Sequence, residues 1–115
     1  AAATRYSWRG LRTAWVREAA FRLEVLLCVI MLPVAFWVGT TAVQRVLLIA
    51  TCLVVLITEL LNSAVAAAID RIGMDHHELS GHAKDLGSAA VFISLLICGI
   101  TWLVIAWDHW GSPPG

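Results

Sequence analysis

One carboxylate inside an apolar run is the first feature of this chain with chemistry in it. Glu59 interrupts the stretch Val46 to Ile69, which otherwise carries no charge. An ionisable side chain in a membrane span is costly and by default marks function. Glu59, Asn62, Ala66 and Asp70 recur at i, i+3, i+7 and i+11. At roughly 100° per residue they form one narrow helical stripe, with Ser63 beside it. A second polar cluster runs from Asp70 to Asp85. In it Asp75 and Glu78 have the spacing of a capping box, and Ser80 or Asp85 can start the next helix. His76, His77 and His82 raise a transition-metal question, but their spacing fits no standard zinc pattern. A third cluster holds Glu18, Arg22 and Glu24, with Glu18 and Arg22 at the i,i+4 spacing of a weak surface ion pair.

Phosphate-cradling loops are missing, since the chain has neither GxxxxGK[ST] nor GxGxxG. It also lacks GxSxG and HExxH. Nucleotide chemistry would therefore have to be built from scattered charges on helices.

The elements that position these residues follow from composition. Hydrophobic residues make up 60% of the 115-residue chain and charged ones 14%. A soluble domain has about 45–50% and about 25%. The length sets one domain, 1–115. Three uncharged stretches, about 25–44, 46–69 apart from Glu59, and 86–107, are each long enough to cross the hydrocarbon core as helices. Pro33 is expected to kink or shorten the first, and Gly39 to Ala42 reads as a turn. Trp8, Leu11, Trp15 and Ala19 recur on one face of about 7–23. This stretch reads as an amphipathic helix lying on the membrane surface. The expected fold class is an all-α membrane protein: three transmembrane helices plus an N-terminal amphipathic surface helix.

Arg5, Arg9, Arg12, Arg17 and Arg22 precede the first span, and Arg71 and Lys84 lie between the second and third. Only Arg45 lies in the first connection. The positive-inside rule then puts the N-terminus and the second connection in the cytoplasm, with Trp102, Trp107 and Trp110 in the opposite interfacial belt. Cys28, Cys52 and Cys98 sit in apolar runs and read as reduced packing residues. The first residues do not read as a signal peptide, and Gly111 to Gly115 reads as a frayed end.

Taken in order, several segments resemble the small integral membrane diacylglycerol kinases of bacteria. They are Glu59-Leu-Leu-Asn-Ser-Ala-Val65, Asp70-Arg-Ile-Gly73, His77-Glu-Leu-Ser-Gly81 and Ala83-Lys-Asp-Leu-Gly-Ser-Ala-Ala90, with Tyr6 to Arg12 and Glu18 to Arg22. The resemblance covers nearly the whole chain. It implies a homotrimer in the bacterial inner membrane, with active sites shared between neighbouring subunits. The implied reaction moves the γ-phosphoryl of MgATP to diacylglycerol, giving phosphatidic acid. By resemblance Glu59 is the general base and Asn62 orders the site. Glu18 ligates Mg2+, and Tyr6, Glu18, Asp75, His76, His77, Lys84 and Asp85 contact ATP. Ser7, Trp8, Arg12, Glu24, Arg45, Glu59, Ser88 and Trp102 line the lipid side.

The sequence departs from the family at one position that matters. A second metal-binding glutamate is expected seven residues after the base, where this chain has Ala66. A hard cation loses an oxygen ligand there, which implies weak or absent activity unless Asp70 or water substitutes. His82 stands where the family usually has Arg, and Asp75-His76 where it has Glu-Tyr. Undecaprenol phosphorylation is the alternative within enzymes. A non-catalytic polytopic membrane protein is the alternative outside them.

Overall fold

A computed structural model describes residues 1–72 and 78–111. It contains four helices: α1 (Ala2–Arg17), α2 (Ala19–Val38), α3 (Ala42–Ile72) and α4 (Glu78–Gly111), with no strand among the described residues. Helices α2, α3 and α4 are each long and apolar enough to span a membrane. The chain is thus a multi-pass membrane protein of three candidate spans.

The helix expected over 7–23 is instead two helices. α1 ends at Arg17, and Glu18 takes an extended conformation (φ −111°, ψ 103°) before α2 begins. The junction is held by side-chain capping rather than by Gly or Pro. Arg22 Nη1 donates to the carbonyls of Trp15 (2.7 Å) and Val16 (3.1 Å), satisfying acceptors that a helix end leaves open. The anticipated Glu18–Arg22 pair is therefore not what Arg22 does. α2 runs through Pro33 to Val38, since its apolar surroundings leave the backbone no better partner than itself.

The first connection is short and specified. Thr41 Oγ1 accepts the Gln44 N–H at 3.1 Å, and Gln44 Oε1 accepts the Thr40 N–H at 2.8 Å, which caps the start of α3. A Cβ on Gly39 would lie 2.8 Å from Arg45 Cγ and 3.0 Å from the Ala35 carbonyl, so a larger residue there would force the Arg45 side chain to shift. α4 begins at Glu78, ahead of Ser80 and Asp85. Asp75, His76 and His77, with the proposed capping box, lie outside the described residues.

α3 and α4 form the closest pair, running antiparallel. Contacts step down α4 as they step up α3. Gln44 Nε2 donates to Asp108 (3.3 Å), the Trp102 indole to the Leu48 carbonyl (3.1 Å), and Thr58 Oγ1 to Ser94 Oγ (2.8 Å). Lys84 Nζ donates to Asp70 Oδ1 (2.8 Å) at the last step. Leu48, Cys52, Val55, Glu59 and Asn62 on one side, and Gly87, Val91, Ser94, Cys98 and Trp102 on the other, recur three or four residues apart. That spacing is the signature of helices crossing at a shallow angle. Ala35, Val38, Leu48 and Ile105 make the buried apolar cluster.

Candidate active site

Glu59 is buried, at 9% exposure, where α3 meets its neighbours. Its carboxyl adjoins that of Glu24, which comes across from α2. Glu24 Oε2 is itself buried without a hydrogen-bond partner. Two adjoining carboxyls in an apolar setting can hold and pass a proton, the task of a general base. Sequence reasoning assigned both residues separately and missed their pairing, because they sit on different helices 35 positions apart.

One turn toward the α3–α4 connection, Asn62 lies over Gly87 of α4, its amide filling the space where any other residue would carry a Cβ. Asp70 and Lys84 follow as an ion pair with half-exposed side chains. The expected stripe Glu59–Asn62–Asp70 is therefore real as geometry, and it faces α4 and α2. Ala66 stands in it half-buried and contributes no ligand atom. Asp85 and Ser88 are exposed beside Lys84 and Gly87.

A second face of α3 belongs to another space. An open cavity of about 720 Å³ lies between α1 and α3, lined by Ser7, Arg9, Arg17, Glu18, Ser63 and Ala67 among others. That volume is within the usual range for a small-molecule site. Glu18, freed from Arg22, sits on its rim together with two arginines. Glu59 and Asn62 do not line it. Trp8, Arg12, Trp15 and Phe21 border a separate apolar cavity of about 420 Å³ under α1. Tyr6 is exposed, with Arg9 stacked 5.9 Å from its ring centroid.

Arg45 and Trp102 are placed elsewhere. Arg45 Nε donates to the Gly39 carbonyl (3.0 Å), and Trp102 pairs with Leu48. At a rise of 1.5 Å per residue, Arg45 stands about 21 Å along α3 from Glu59. That separation is about two-thirds of a roughly 30 Å hydrocarbon core, so neither residue adjoins Glu59.

The fold and this arrangement define a membrane-embedded helical protein with a polar site at one end of its spans. The family model for prokaryotic diacylglycerol kinase matches residues 5–106. The chain is 51% identical over 106 residues to the diacylglycerol kinase of Escherichia coli (strain K12), covering 92% of this chain and 87% of that protein. It is 52% identical over 99 residues to that of Haemophilus influenzae (86% and 84%). It is 50% identical over 103 residues to that of Pseudomonas aeruginosa (90% and 84%). The chain belongs to the prokaryotic diacylglycerol kinase family.

Proposed function

We propose that this protein phosphorylates the hydroxyl of diacylglycerol with the γ-phosphoryl of MgATP, giving phosphatidic acid. Family membership carries the reading, and the convergence of polar residues of α3 and α4 at one end of the spans agrees with it. The uncharged run of α4 begins at Leu86, beside the Gly87–Asn62 contact. Glu59, one turn deeper, is at the depth where a diacylglycerol hydroxyl meets the interface. Glu59 takes the hydroxyl proton as the oxygen attacks, and Asn62 orients the reacting groups. Lys84, exchanging Asp70 for phosphate, balances the charge that spreads over the transferred group. Phosphoryl transfer is mainly positioning and charge neutralisation, which such a set of side chains can supply.

Among the described residues no cluster of three or more His, Cys, Asp or Glu is arranged to hold a metal ion. Mg2+ ordinarily keeps several waters and takes one or two carboxylates plus substrate phosphates. Glu18 fits that partial role and Ala66 does not. Bound with ATP, Mg2+ would supply charge neutralisation at the phosphates.

α1 is taken to lie along the cytoplasmic surface of the inner membrane, its Trp8–Leu11–Trp15 face toward lipid and its arginines toward headgroups. The arginine distribution supports a cytoplasmic N-terminus. The homotrimer is what the family resemblance implies, and the small buried share of each span (11% for α2 and α4 and 28% for α3 in their most apolar windows) leaves helix surface for such contacts. The test is phosphorylation of diacylglycerol by the purified protein in lipid, with Mg2+ titrated, beside Glu59→Gln. ATP-dependent labelling of lipid that disappears in the variant is the expected result. Equal labelling in both removes Glu59 as the base.

A further inference from the structure

Of the glycines inside helices, Gly87 alone is pressed against a polar side chain proposed for the site. A Cβ built on Gly10, Gly81 or Gly99 meets nothing within 4 Å, and one on Gly111 meets only the Trp107 ring. A Cβ on Gly87 would collide with Asn62 Oδ1 and lie 3.3 Å from Asn62 Cγ, but 3.8 Å from Asn62 Cα. The collision is with the movable end of the side chain. The α3 backbone is already at ordinary contact distance. A glycine in a helix interior is otherwise unfavourable, and its presence there usually has a packing reason.

We propose that Gly87 is a positioning residue: by leaving its Cβ space empty, it holds the Asn62 amide at the mouth of the Glu59 site. A methyl group at 87 would turn the Asn62 side chain about its own bonds and leave the helices where they are. This rests on the reading of Asn62 as part of the kinase site, while the geometric half does not. Asn62 is the only asparagine in the chain, so selective 15N-asparagine labelling gives a single side-chain NH2 signal.

The experiment compares the starting chain, Gly87→Ala, Asn62→Ala, the double variant and Gly99→Ala as a control in open space. Each is reconstituted in lipid nanodiscs, alone and in an Ala66→Glu background. NMR reads the Asn62 amide, and kinase assays read kcat and KM for lipid and for MgATP. The expected result has four parts. Gly87→Ala shifts the Asn62 signal, and Gly99→Ala does not. Gly87→Ala lowers kcat at least about tenfold. It leaves KM for lipid within about twofold and thermal unfolding unchanged. In the Asn62→Ala background it costs less than about twofold more. An unmoved Asn62 signal overturns the positioning itself. An equal loss with and without Asn62 overturns it too, since Gly87 would then act through helix packing. Full activity of Asn62→Ala, with the signal still shifted by Gly87→Ala, overturns the catalytic part and shows the site assignment as the failing step.

Discussion

Restoring a carboxylate at position 66 is the most direct test of what this chain lacks. Ala66 lies on the Glu59–Asn62–Asp70 face, half-buried, and four residues before Asp70. Ala66→Glu would set two like charges at i,i+4, which costs a helix about 0.2–0.5 kcal/mol. Lys84, 2.8 Å from Asp70 Oδ1, offsets part of that repulsion. The loss of alanine's helix preference adds only tenths of a kcal/mol. These two terms together come to less than about 1 kcal/mol, and partial desolvation of the new carboxylate adds to them. Against this stands one oriented group beside the transferring phosphoryl, a contribution of about 10²–10³ in rate, or about 2.7–4 kcal/mol. The expected outcome is a rise in kcat/KM on the order of a hundredfold, with half-saturation at lower Mg2+. Diacylglycerol phosphorylation is followed in nanodiscs with Mg2+ titrated, beside thermal unfolding of both proteins. Equal, high turnover in both at every Mg2+ concentration would refute the reasoning, because position 66 would then contribute nothing to metal binding.

Two further outcomes follow from distances in the α3–α4 pair. The Lys84–Asp70 bridge has side chains 48% and 67% exposed, so breaking it should cost at most about 1 kcal/mol. Lys84→Met should nonetheless lose on the order of a hundredfold in kcat/KM, and Asp70→Asn should destabilise the fold by no more than about 1 kcal/mol; retained activity in Lys84→Met removes it from the phosphate site. Cys52 Sγ and Cys98 Sγ lie 3.9 Å apart, within reach of a disulfide after small side-chain rotations. Oxidation with copper phenanthroline in lipid, then cyanogen bromide cleavage at Met31 and Met74, should keep fragments 32–74 and 75–115 joined and release 1–31; a bond found instead to the Cys28 fragment would contradict the observed register.

The spans were legible because bilayer thickness turns composition directly into helix length, and the stripe through Glu59 because helical periodicity is a property of the sequence itself. The break at Glu18 was not. Ala19 and Ala20 continue both the apolar run and the helical spacing, and no Gly or Pro interrupts them. The break depends on a guanidinium folding back onto the carbonyls of Trp15 and Val16, an event six and seven residues long that competes with the i,i+4 pairing legible in the sequence. The Glu24–Glu59 adjacency was equally hidden, because helical periodicity within each helix does not tell how α2 is rotated against α3. Gly87 gave a signal that could have been read. A helical glycine asks what approaches it, but one chain alone does not name Asn62 as the answer.

The two faces of α3 bear on how the site is assembled. Glu59, Asn62, Ala66 and Asp70 face α2 and α4. Leu60, Ser63, Ala64 and Ala67 face the cavity that holds Glu18, about a quarter turn away around the helix. Only Ser63 borders both. Within one chain, the carboxylate proposed for the metal and the lysine proposed for the phosphate thus open on different sides of the same helix. A second copy, presenting its own α1 and Glu18 to the outer side of this stripe, would bring the halves together. Leu61 and Val65, 62% and 39% exposed in the single chain, lie on the far side of α3 from this stripe. Burial of a Leu side chain contributes roughly 1.5–3 kcal/mol against water but little against lipid. Any drive toward a second copy at this level would therefore have to come from the polar groups near the end of the spans. Were the proposed site divided between copies in this way, assembly would be a condition of catalysis rather than an accompaniment to it.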